Sequence, residues 1–291
     1  MRAFTGLGVL IILVIIAGVF ARHLFLRKSP IEPVVKPRAT KTPRFEIYPE
    51  KEVPPHKPIP KPVPAIPKKL PKIAIIIDDI GYDKEIVEKF LGLDAVFTFS
   101  ILPYSPFQKS IARHVHSKGF NVMLHLPMEP NEYPMVNPGP GTLLTSMSPD
   151  QLINQLDRNL DSVPFIRGVN NHMGSKMTTV STQLYQIFSV LKKRKLFFID
   201  SRTTTETLCK PSAQLLQVPF AQKDVFLDHI QKPDFIRKQI YRLIHIANSH
   251  GEAIGIAHPH DVTYHVIREV LPELKKKAIL VHASDVVHIA S

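Results

Sequence analysis

From Ile73 onward, hydrophobic and polar positions alternate in blocks. Short apolar runs appear at "IAIII", "VFTFSIL", "NVMLHL", "PFIRGV", "LFFID", "VFLD", "EAIGIAH" and "AILVHAS". Between most of them the apolar residues recur with helical spacing, and the ends carry helix signals. Asp83 is placed to cap "KEIVEKFLG", with Gly92 at its end. "SPFQKSIARHVHSKG" stops at Gly119, and "SPDQLINQLDRNL" opens on Ser148 with Pro149 in the first helical position. "STQLYQIFSVLKKRK" and "PDFIRKQIYRLIHIANSHG" follow, and Pro272 is expected to break "YHVIREVL". Runs apolar on both faces, alternating with helices, imply a parallel sheet covered on both sides. The expected fold is α/β: an irregular (β/α) barrel of about seven parallel strands, with an open doubly wound sheet as the alternative. The stretch Pro127 to Met147 is too long for a routine turn and is a candidate substrate-facing loop.

Two segments precede this pattern. Residues 1–28 contain nineteen uncharged residues, Ala3 to Ala21, about the length of a bilayer span. They read as a transmembrane anchor or a secretory signal, since "VFA" at Val19 to Ala21 would suit cleavage. Residues 29–72 hold 13 of the 27 prolines and read as an extended, basic linker. At most it would reach roughly 130 Å, enough for a membrane-tethered domain to sample a cell wall. The expected domains are therefore 1–28, 29–72 and 73–291. Expected localisation is the bacterial inner membrane or secretion, with the folded domain facing the periplasm and envelope.

Charge alters one conclusion. The formal net charge of +12 would suggest nucleic acid, but residues 73–291 carry only +2 of it. The basic excess lies in the first 72 residues, so nucleic-acid binding is disfavoured. One cysteine, Cys209, excludes an intrachain disulfide and a cysteine-rich zinc site.

The candidate chemistry lies where the apolar runs end. In chain order these ends carry Asp78 and Asp79, His125, Asn170, Asn171 and His172, Asp200 and Arg202, Asp228, His258 and His260, and His282. In a parallel α/β fold the carboxyl ends of strands meet at one rim, so these groups would form one polar constellation. Two adjacent carboxylates normally oppose each other's ionisation. A divalent cation shared with imidazoles removes that conflict, and a carboxylate with two neutral imidazoles and an open position suits a catalytic Zn²⁺ or a similar ion.

Taken together, "IIIDDIG", "HLPMEP", "NNHMGS", "FIDSRT", "DVFLD" and "IGIAHPH" resemble the divergent polysaccharide deacetylase family. These are bacterial relatives of the metal-dependent deacetylases of carbohydrate esterase family 4, with a distorted (β/α) barrel. The resemblance runs from about Lys72 to the C-terminus. It implies Asp78 as general base, Asp79 and His125 as metal ligands, and His258 as general acid. Asp200 and Arg202 are implied to orient and tune the base and acid. The family's His-x-x-x-His motif is incomplete, because the position four after His125 is Glu129. His172 is the candidate to fill that vacancy, with Glu129 as the alternative ligand. The implied activity is removal of N-acetyl groups from a polysaccharide or peptidoglycan of the cell envelope. The alternative is a weakly active or inactive metal- or glycan-binding module that regulates cell-wall enzymes.

Overall fold

The computed structural model describes Leu70 to Ile289. The expected membrane segment at 1–28 and nearly all of the linker at 29–72 lie outside the described residues. No helix among the described residues is long and apolar enough to cross a membrane.

Among the described residues, nine parallel strands form one sheet: β1 (Lys72–Ile80), β2 (Thr98–Ile101), β3 (Asn121–Met128), β4 (Ile166–Met173), β5 (Phe197–Asp200), β6 (Phe220–Gln222), β7 (Val225–Phe226), β8 (Glu252–Ala257) and β9 (Ile279–Val281). The hydrogen-bonded order is β6-β5-β4-β3-β2-β1-β8-β7, with β9 paired to β1. Seven α-helices of the described residues cross between these strands: α1 (Lys84–Leu91), α2 (Gln108–Ser117), α3 (Pro149–Ser162), α4 (Ser181–Lys193), α5 (Cys209–Leu216), α6 (Pro233–His250) and α7 (Asp261–Lys277). The sheet curls in the manner of a (β/α) barrel.

The strand count exceeds the expected seven for two local reasons. β6 and β7 are halves of one course, broken at Lys223 and Asp224. The Lys223 amide donates to Asp200 O on β5 (2.9 Å), while the Asp224 amide donates to Ile254 O on β8 (2.9 Å). That one segment thus links the two ends of the sheet. The short β9 pairs with Lys72 to Ala74 of β1, on the edge that β2 takes over from Ile76. Two helical readings also change. Pro272 lies inside α7, which continues to Lys277, its next turn held by buried Leu274. And α5 forms where no helical pattern was read.

Alternation along the strands divides the core in two. Ile73, Ile75, Ile77, Phe99, Leu124, Val169 and Phe198 face the helices in the larger cluster. Ala74, Ile76, Met123, Phe197, Ile199, Ile254 and Ile256 fill the barrel interior, where Ala283 and Val286 from the turn after β9 close the floor. Gly168 lets Phe197 into that interior, since a Cβ there would lie 2.2 Å from its ring. Above this apolar layer, the next inward position along β1 to β6 and β8 is polar: Asp78, Ser100, His125, Asn170, Ser201, Lys223 and His258.

Candidate metal centre and active site

In a regular strand Asp78 and Asp79 would point to opposite faces. Here the register with β2 slips between Ile77 and Ile80, inserting one residue, and Asp79 takes a left-handed conformation (φ 55°). This β-bulge turns both carboxylates inward. Left-handed backbone at a non-glycine residue costs on the order of 1–3 kcal/mol. The four wholly buried isoleucines at 73, 75, 76 and 77 anchor the same strand at roughly 1.5–3 kcal/mol each, so the kink is held.

The kinked carboxylate meets two imidazoles. Asp79 Oδ1 lies 3.2 Å from His125 Nε2 and 3.0 Å from His172 Nδ1, and the two nitrogens are 3.1 Å apart. Asp79 Oδ1 is buried yet receives no aligned hydrogen bond, although both nitrogens are at hydrogen-bond distance. Three donor atoms in a triangle of that size are arranged as ligands are: bonds of about 2.0–2.1 Å at tetrahedral angles put neighbouring ligand atoms roughly 3.3 Å apart. The residues therefore fit a divalent cation with one carboxylate and two imidazole ligands.

The neighbouring side chains fix the chemistry of this triangle through Asn170. Its Nδ2 donates to both oxygens of Asp78 (2.9 and 3.0 Å), which can only accept, so its Oδ1 must face His125 Nδ1 (3.0 Å). Ser100 Oγ donates to the same Oδ1. His125 thus carries its proton on Nδ1, and its Nε2 lone pair points at the triangle. Asp78 sits behind, with Oδ2 3.7 Å from His125 Nε2. Burial raises its pKa, against the pull of His125, His258 and Asn170. Burial acts in the same direction on Asp79, but His172 and His125 outweigh it and hold that carboxyl well below its ordinary value.

On the other side stands His258, its Nε2 3.9 Å from Asp79 Oδ2. Its Nδ1 donates to Asp228 Oδ1 (2.9 Å), and its backbone amide and Thr263 Oγ1 donate to Asp228 Oδ2 (2.7 and 2.8 Å). Burial would lower the imidazole pKa; Asp228 overcomes this, with Asp79 and Asp78 adding to it, and raises it to about 9. Asp228 thus favours the protonated form of His258, whose Nε2 is directed at the triangle.

The structure thus gathers Asp78, Asp79, His125, His172 and His258 at one rim. It gives Asp200 and Arg202 a different setting from the one the motifs implied. Asp200 accepts from the Arg202 amide (2.7 Å) and Thr207 Oγ1 (2.8 Å), closing the turn after β5, where Arg202 is left-handed (φ 49°). Arg202 Nη1 donates to Gln222 Oε1 (3.1 Å). Neither residue hydrogen-bonds Asp78 or His258; Asn170 orients Asp78, and Asp228 orients His258. Glu129 is likewise committed elsewhere, accepting from Thr145 and pairing with Lys176 Nζ (2.7 Å), which pins the loop from Pro127 to Met147. His282 lies at the opposite end of the barrel, against Phe97 O.

Parallel strands with an aspartate–histidine cluster at their carboxyl ends define the class, and comparison of sequences identifies the family. The profile of the divergent polysaccharide deacetylase family matches residues 75–287, and the chain belongs to that family. It is 34% identical over 218 residues to YibQ, an uncharacterized protein of Escherichia coli (strain K12), covering 75% of this chain and 67% of that one. It is 30% identical over 210 residues to an uncharacterized protein of Haemophilus influenzae (Rd), covering 72% and 74%. A solved structure of an uncharacterized protein from Agrobacterium tumefaciens C58 matches with a TM-score of 0.72 at 25% identity, covering 77% of this chain and 92% of that one.

Proposed function

We propose that the domain is a metal-dependent hydrolase that removes N-acetyl groups from amino-sugar polymers of the bacterial envelope. The observation that carries this reading is the triangle of Asp79 Oδ1, His125 Nε2 and His172 Nδ1, with a carboxylate on one side and an imidazolium on the other. A divalent cation held there, zinc by the donor set, supplies Lewis acidity to an acetamide carbonyl and acidifies water. Asp78, held by Asn170, takes the proton from the attacking water. His258 delivers its Nε2 proton to the departing amine nitrogen, and Asp228 keeps that proton in place. Asp200 and Arg202 act at one remove, by shaping the turn beside Asn170 and Ser201. The products are acetate and a free amino sugar.

The alternative, a metal- or glycan-binding module without turnover, drew its support from the missing second histidine of the family motif. His172 on the adjacent strand removes much of that support. The uncharged run from Ala3 to Ala21 and the proline-rich, basic stretch that follows favour a domain tethered at the inner membrane and facing the periplasm.

The test uses the full chain in detergent, with metal content and acetate release from peptidoglycan and N-acetylglucosamine oligomers as readouts. Asp79→Asn and His172→Ala should lose metal, whereas Asp78→Asn should keep it and lose turnover. Metal bound by the wild type without acetate release from any of these polymers would instead support the binding module.

A further inference from the structure

Among the described residues, Lys223 is the charged member of the inward polar layer that the scheme above leaves unused. Its backbone closes the sheet onto β5, and its side chain turns into the barrel. Nζ lies 4.3 Å from the ring centroid of Phe226, and the same ring stacks on His258 at 5.0 Å and 16°. The ammonium and the proposed acid therefore flank one phenyl ring.

Among the described residues no ion pair or hydrogen bond reaches Lys223 Nζ, although Asp200 and Asp78 are near enough to be felt electrostatically. Burial lowers its pKa to about 8, against the upward pull of those two carboxylates. A half-buried ammonium that has given up water without gaining a contact partner is costly, and a phenyl face returns only part of that cost. An anion arriving with the substrate would return the rest.

We propose that Lys223 is a specificity-determining residue that binds a carboxylate on the sugar itself, so that the preferred substrate is an acidic amino sugar. In such a sugar the carbon next to the acetamide-bearing one carries a carboxylate-bearing ether, as in the muramic residues of peptidoglycan. This rests on the reading that the acetamide sits between Asp78 and His258, since Lys223 and His258 contact the same Phe226 ring and Asp78 is near enough to act on Lys223 electrostatically. A single ammonium is a point charge suited to one carboxylate. A doubly charged phosphate would be repelled by Asp78, Asp200 and Asp228.

The test compares binding of N-acetylmuramic acid and N-acetylglucosamine to the zinc-loaded full chain by calorimetry. The wild type should prefer the acidic sugar by roughly tenfold, the worth of one charge-assisted hydrogen bond. Lys223→Met should bring that ratio to about one while the protein still carries its metal, and Lys223→Arg should keep part of the preference. A Lys223→Met protein that retains the preference, or loses both sugars in equal proportion, would overturn the assignment. Equal wild-type affinities for the two sugars, or binding of neither, would sink it alone, whereas the deacetylase reading stands or falls with acetate release from the polymers.

Discussion

Replacing Asn170 separates metal holding from proton transfer, because its two amide atoms serve different partners. Its oxygen accepts a hydrogen bond from His125 Nδ1 at 3.0 Å, and its nitrogen gives two hydrogen bonds to Asp78 at 2.9 and 3.0 Å. Asn170→Leu removes both functions. Loss of the group that orients a ligating histidine costs about 10–100-fold in metal affinity. Hydrogen bonds to a charged group are worth about 1.5–3 kcal/mol each, so losing the pair on Asp78 should cost at least about 3 kcal/mol of stability. For a domain of this size that is a fall of roughly 6–12 °C in Tm. Asn170→Asp keeps an acceptor for His125 but sets a second carboxylate against Asp78 at hydrogen-bond distance, where the two cannot both ionise. Zinc affinity by calorimetry should then stay within a few-fold of wild type, while acetate release falls by a factor on the order of 10² or more, the usual worth of a positioned base. An Asn170→Leu protein with wild-type zinc affinity, or an Asn170→Asp protein with wild-type turnover, would refute the assignment of this residue.

Three further predictions concern the surroundings of the site. Burial would raise the Glu129 pKa, but Lys176 and Thr145 pull it below its ordinary value of 4.5. Its stabilisation is therefore full above about pH 4.5 and lost as the pH falls through the lower folded value, so exchange of the Thr145 amide should accelerate in that window and be fast at all pH values in Glu129→Gln. Gly81 has φ 143°, and a Cβ there would lie 1.9 Å from Ser105 Oγ. Gly81→Ala should lower Tm by several degrees, and Ser105→Gly in the same chain should restore only part of it, since the backbone strain remains. Cys209 is buried, and burial raises its thiol pKa well above the ordinary value, so native protein should react with a thiol reagent only after denaturation.

The fold was readable because its strands are greasy on both faces. "IAIII" cannot be a half-exposed strand, and a chain of such runs separated by amphipathic helices leaves few architectures. The site was readable to the extent that its groups end those runs, as Asp79, His125, His172 and His258 do. What escaped was everything decided across the chain. The bulge at Asp78 and Asp79 depends on register with β2. Asp228 was visible at a strand end, but its bond to His258 depends on β7 lying beside β8, whereas Asp200 satisfies its own turn. Asn170 looked like one amide in a pair, and only its partners, Asp78, His125, Ser100 and, through Nδ2 at 3.3 Å, Ser201, reveal it as the hub. Lys223 falls in the two-residue break between β6 and β7, where no apolar run drew attention to it. Pro272 misled because its local penalty is real, and the burial of Leu271 and Leu274 on either side exceeds it.

The floor of the barrel joins the two ends of the described chain. Ile279 donates to Pro71 O, Lys72 Nζ reaches Asp285 O, and His288 pairs with Glu252, which lies beside Lys72 in the sheet. Residues 70 and 289 therefore emerge as near neighbours on the side remote from the Asp/His cluster. A short peptide could splice them into a circularly permuted gene reopened in a surface turn, and a reporter or resin attached at either end would leave the cluster unobstructed.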